Sequence, residues 1–139
     1  MEILSKSTKD TKELAESLAK KIKPGTVISL EGDLGAGKTT FTSYFVHALG
    51  IDKRVQSPTF VILRKYEGEN LTVNHLDLYR MQGAEELLDL GLEELFEENG
   101  ITLIEWPGVA EHLLPEDTIR MKFEYVDENE RKISVQNLD

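Results

Sequence analysis

The sequence contains no cysteine, which excludes disulfides and thiolate metal sites. No apolar run approaches the ~20 residues of a membrane-spanning helix. The N-terminal stretch MEILSKSTKD lacks the apolar core of a signal peptide. A soluble, cytoplasmic protein is the expectation. Positive charge is also short: 16 lysines and arginines face 26 aspartates and glutamates, a formal net charge of −10. Nucleic-acid binders draw much of their affinity from phosphate neutralisation, so any role near RNA is expected to run through a protein partner. Histidine is scarce, and His47, His75 and His112 show no ligand spacing, so each reads as structural.

What is present suits one domain over residues 1–139, long enough to bury roughly two thirds of its unfolded surface. Ser7-Thr8-Lys9-Asp10 has capping-box character, and Leu14, Leu18 and Ile22 then form a helical stripe that Pro24-Gly25 stops. TVISLE, residues 26–31, reads as a buried strand. A second helix is expected to bury Phe41, Tyr44, Phe45, Ala48 and Leu49 and to end at Gly50. Residues 59–66 and 71–76 read as a hairpin turning at Glu67–Asn70, and 84–98 as one or two short helices broken near Gly91. Ile101–Ile104 is a buried strand closed by Glu105-Trp106-Pro107. IRMKFEYV and RKISVQNL flank a second hairpin turn, Asp127–Glu130. The fold class is α/β, with helices flanking a mixed parallel and antiparallel sheet.

Residues 32–39, GDLGAGKT, match G-x-x-x-x-G-K-[ST] in full. Gly32, Gly35 and Gly37 let the backbone approach phosphates without a Cβ clash. The amides around Leu34, Gly35, Ala36 and Gly37 then point into one concavity, and the helix start adds partial positive charge. Lys38 would reach the β- and γ-phosphates, Thr39 would place its hydroxyl on Mg²⁺, and Thr40 would meet an α-phosphate oxygen.

Mg²⁺ needs a further oxygen ligand, usually a carboxylate at a strand end. ITLIE ends in Glu105 and VNHLD in Asp77, and both could face the phosphates from the carboxyl ends of parallel strands. Pro58 stiffens the loop that could offer the Thr59 hydroxyl, although on the residues alone a plain turn is the favoured reading of that segment. Trp106 reads as a core or rim aromatic, and Arg80 as half of a surface pair. Met81–Asn99 carries acids and neither lysine nor arginine, which suits a solvated helix face or a docking surface for a basic partner.

Taken together, GDLGAGKTTF, SPTF, HLDLYR, LGLEELF and IEWP, in this order and spacing, resemble the bacterial tRNA threonylcarbamoyladenosine biosynthesis ATPase family, TsaE (YjeE). The resemblance is detailed from Leu30 to Pro107 and looser toward both ends. It implies a P-loop NTPase-like fold, binding of ATP or ADP with Mg²⁺, and slow hydrolysis of ATP by the protein alone. It implies partners like the TsaB and TsaD subunits, in making N6-threonylcarbamoyladenosine at position 37 of tRNAs that read ANN codons, with tRNA met only indirectly. It also assigns Thr39 and Glu105 to Mg²⁺, Asp77 to the γ-phosphate region, Thr59 to a switch-like loop and Trp106 to the functional pattern. Thr8 becomes a neighbour of the nucleotide base.

Two other readings of the same loop stay open. A small-molecule or nucleotide kinase would need an acceptor site and an arginine-rich lid, and the arginines here are few and dispersed. A non-enzymatic nucleotide sensor would dock through its acidic helix. A GTPase is the weakest reading, since N-K-x-D is absent. In the ATPase reading, Lys38 and the loop amides hold the phosphates while Asp77 or Glu105 orients water, and the residues alone do not choose between those two acids.

Overall fold

The computed structural model describes residues 1–33, 36–55, 63–78, 91–97 and 100–137. Seven strands form one mixed sheet: β1 (Glu2–Ser5), β2 (Val27–Glu31), β3 (Leu63–Glu67), β4 (Thr72–Asp77), β5 (Gly100–Glu105), β6 (Ile119–Tyr125) and β7 (Arg131–Gln136). Helices α1 (Thr8–Lys21), α2 (Lys38–Ala48) and α3 (Leu92–Glu97), with a 3-10 helix over Pro107–Leu113, complete the described elements.

The strand order is β1-β7-β6-β2-β5-β4-β3. The inner four, β6, β2, β5 and β4, run parallel, and the three outer pairings, β1–β7 and β7–β6 toward one edge and β4–β3 at the other, are antiparallel. The consequence for function is geometric. The carboxyl ends of β2, β5, β4 and β6 share one edge of the sheet. Because β1 opposes β7, Ser5 ends there too. That edge is where an open α/β sheet holds its ligands.

Alternation along the parallel strands sorts side chains onto two faces. Ile28, Leu30, Ile101, Leu103 and Val73 pack with Leu14, Ala15 and Leu18 of α1 and with Phe41, Phe45 and Val46 of α2. Val27, Leu76, Leu78 and Ile104 form a second cluster with Leu95 and Ala110 on the other side. Burying each large side chain stabilises the fold by about 1.5–3 kcal/mol. Leu18, Ile28, Leu30, Phe41, Phe45, Ile101 and Leu103 are fully enclosed, so this layer anchors the helix that follows the phosphate-loop sequence.

The helical stripe of α1, the β6–β7 hairpin and the buried strands fall where periodicity puts them; of the first hairpin, residues 59–62 lie outside the described residues, and β3 and β4 pair across the rest. Three details differ. β1 has no local sequence signal: it is four residues at the sheet edge, and its place comes from pairing with β7. In α2, Ala48 is exposed and Val46 is buried, because the apolar face turns further round than the aromatic spacing suggested. Ser7 is the residue before α1 but makes no side-chain cap; instead Asp10 Oδ2 accepts from the Lys6 amide at 2.9 Å.

Candidate phosphate-binding site

The loop after β2 opens with Gly32 at φ 149°. A Cβ there would sit 2.5 Å from the Phe123 carbonyl oxygen on β6, so only glycine lets the chain leave β2 this close to its neighbour. Gly37, at φ 104°, closes the loop as the residue before α2, and no side-chain cap is formed there among the described residues. The first-turn amides of an 11-residue helix are thus left for an anion. Leu34 and Gly35 lie outside the described residues; Ala36 is buried and Gly37 half-buried.

Lys38 turns inward and is 4% exposed. Its Nζ is 3.8 Å from Glu105 Oε1, too long for a hydrogen bond, and finds no hydrogen-bond partner among the described residues. The ammonium lies 4.1 Å from the centroid of the Trp106 ring. Trp106 holds φ 57° and ψ 60°, a left-handed conformation worth about 1–2 kcal/mol of strain in a non-glycine residue. Pro107 then starts the 3-10 helix, so the chain turns away at once and leaves the indole over Lys38. Burial pushes Lys38 below its ordinary 10.5; the carboxylates of Glu105, Asp77 and Asp33 oppose that shift without cancelling it.

The two candidate acids end adjacent parallel strands and stand directly opposite each other, Asp77 beside Glu105 in the ladder. Both are buried. Glu105 Oε2 accepts a 2.6 Å hydrogen bond from His75 Nε2, and His75 Nδ1 lies 3.3 Å from the Tyr66 hydroxyl. His75 is therefore at the site, where sequence reasoning placed a merely structural histidine. The spacing carried a signal: His75 and Asp77 are two apart on one strand and so share a face.

Gly37 also lines a cleft of about 430 Å³. Ser7 of the β1–α1 turn and Thr8 at the start of α1, Thr39 and Thr40 of α2, and Asn129 and Arg131 of the β6–β7 hairpin contribute to its lining. Thr8, Thr39 and Thr40 are all exposed, so their hydroxyls are open to a ligand. The structure thus gathers the predicted residues in two places, with Lys38, Glu105, Asp77 and Trp106 at the strand ends and Thr8, Gly37, Thr39 and Thr40 round the cleft. Thr59 and Arg80 lie outside the described residues, as does the acidic 81–99 stretch apart from 91–97. Sequence reasoning missed Asn129 and Arg131, whose nearness depends on strand order alone.

Comparison with known proteins places this geometry among relatives. The family model described as threonylcarbamoyl adenosine biosynthesis protein TsaE matches residues 5–133. The tRNA threonylcarbamoyladenosine biosynthesis protein TsaE of Bacillus subtilis is 44% identical over 125 residues, covering 90% of this chain and 78% of that one. The protein of that name from Treponema pallidum is 34% identical over 135 residues, covering 97% and 99%. The crystal structure of Bacillus subtilis YdiB superposes with a TM-score of 0.83 at 34% identity, over 100% of this chain and 86% of the other. The fold is P-loop NTPase-like.

Proposed function

Because this chain belongs to the TsaE family of threonylcarbamoyl adenosine biosynthesis proteins, we propose that it is a Mg²⁺-dependent ATPase of tRNA modification. It acts in the cytoplasm, hydrolysing ATP slowly alone and faster with TsaB- and TsaD-like partners. Its output is N6-threonylcarbamoyladenosine at position 37 of tRNAs that read ANN codons, with tRNA met only through those partners. The observation that carries the ATP reading is the ammonium of Lys38, the first residue of α2, buried with no hydrogen-bond partner among the described residues. A buried cation in that state has unfilled demand for acceptors, and phosphate oxygens supply them.

The donor set also fits a hard cation. No group of three or more His, Asp or Glu among the described residues is arranged to hold a metal by itself. Mg²⁺ commonly needs only one or two protein oxygens, completing its shell with phosphate and water. Thr39 and Glu105 would be those ligands. A Mg²⁺ ion held by them would supply positive charge beside the phosphates. Lys38 and the amides from Leu34 to Gly37 hold the phosphate tail, and Thr40 contacts the α-phosphate. Thr8, in the lining of the cleft, borders the base. Trp106 keeps the ammonium in a low-dielectric pocket, which strengthens its pull on phosphate. Asp77 or Glu105 orients the attacking water, and Thr59 serves a loop that senses the γ-phosphate.

The test is ATP turnover with and without the two partner proteins, comparing wild type with Lys38→Ala. Slow turnover raised by the partners, and lost in the variant, is expected. A free-protein rate near the enzymatic median of about 10 s⁻¹, unmoved by partners, would refute partner gating. Nucleotide binding unchanged in Lys38→Ala would refute the site.

A further inference from the structure

Glu105 has two carboxylate oxygens, and the fold treats them differently. Oε2 takes the hydrogen bond from His75 Nε2 at 2.6 Å, while Oε1 faces Lys38 Nζ at 3.8 Å. His75 is fully buried, and behind it the Tyr66 hydroxyl lies 3.3 Å from Nδ1. We propose that Tyr66 and His75 are positioning residues that lock the Glu105 carboxylate, so that Oε1 is presented to Lys38 and to the metal that accompanies a nucleotide. This rests on the reading of the site given above.

The ladder makes the arrangement hard to achieve by accident. His75 stands opposite Leu103, so Glu105 must lean back along β5 to reach it. Tyr66 stands opposite Val73, diagonal to His75 across the β3–β4 hairpin, within reach of an aromatic side chain. The two rings sit 6.0 Å apart at 38°. A Tyr66 hydroxyl donating to Nδ1 leaves the imidazole proton on Nε2, where it donates to Glu105. A doubly protonated ring would still donate from Nε2, so the role needs no movement of protons. Such outer partners set the orientation of a ligating group, and losing one typically weakens metal binding about 10–100-fold.

Calorimetry of ADP binding, with and without Mg²⁺, tests this in wild type, His75→Leu, His75→Gln and Tyr66→Phe. The expectation for His75→Leu is a loss of about tenfold or more in Mg²⁺ and less than about twofold without it. His75→Gln retains a side-chain N–H donor and should recover most of the Mg²⁺ increment. Tyr66→Phe should lose about threefold, in Mg²⁺ alone. If His75→Leu keeps the wild-type increment, or weakens equally with and without Mg²⁺, the relay is overturned and the histidine is only a packing residue. If His75→Leu does not fold, Tyr66→Phe decides, and an unchanged increment there overturns the relay. A wild-type affinity that ignores Mg²⁺ would overturn the metal reading itself, and the relay with it.

Discussion

Replacing Lys38 by Met should move nucleotide affinity and stability in opposite directions. Methionine keeps the apolar stem under Trp106 and removes the charge. In the nucleotide-free fold that charge is poorly served: it is 4% exposed, its nearest carboxylate oxygen is 3.8 Å away, and it has no hydrogen-bond partner among the described residues. Against phosphate, two charge-assisted hydrogen bonds at about 1.5–3 kcal/mol each give about 4 kcal/mol. Subtracting about 1 kcal/mol for the cation–π contact given up leaves about 3 kcal/mol, roughly a hundredfold in affinity. Calorimetric titration with ADP and Mg²⁺ measures that loss. Stability goes the other way. Burial lowers Lys38 despite Glu105, Asp77 and Asp33, so the charged form costs the fold more than its neighbours return. Glu105 keeps its hydrogen bond from His75 when the ammonium is gone. Lys38→Met should therefore melt above wild type near neutral pH. The sign follows from linkage: the unfolded lysine titrates near 10.5 and the folded one lower. The penalty is full below the folded value and vanishes above 10.5, so the gap in melting temperature should close as pH rises through that window. A variant that melts below wild type, with a gap insensitive to alkaline pH, would refute this account of the buried ammonium.

Gly32→Ala should destabilise by about 3 kcal/mol, combining positive-φ strain with a shift of the β6 backbone, or roughly 10 °C in melting temperature. Gly25→Ala, at φ 93° with no atom near its Cβ, should lose only about 1 kcal/mol; equal losses in thermal melts would discard the close contact with Phe123. Asn74 is fully buried with neither side-chain polar atom hydrogen-bonded to any described residue. Asn74→Val should therefore raise the urea midpoint, by about 1–2 kcal/mol of stability, and a lowered midpoint would mean the amide has a partner. Saturating ADP and Mg²⁺ at about 100 times Kd should raise the wild-type melting temperature by about 8–10 °C, from about 2.7 kcal/mol of linkage, while Lys38→Met at the same concentrations should gain far less.

Local patterns are legible in the sequence alone. The spacing of Gly32, Gly37 and Lys38 defines a loop and helix start, because glycine freedom and helix entry depend on a few successive residues. The leucine stripe of α1 and the apolar run of β5 declare themselves likewise, since their periods are short. Ala48 and Ser7 depart from their local patterns because a helix face and a cap are settled by what packs beside them.

The sequence by itself determined the phosphate loop, the two strand-end acids and the mixed α/β class. Only the tertiary structure decided that Asp77 and Glu105 are ladder neighbours, that His75 grips Glu105, and that the N-terminal turn and the β6–β7 hairpin border one cleft with Thr39. The reason is that strand order and register are settled by packing the whole core at once. Residues distant along the chain meet only when that competition has been resolved.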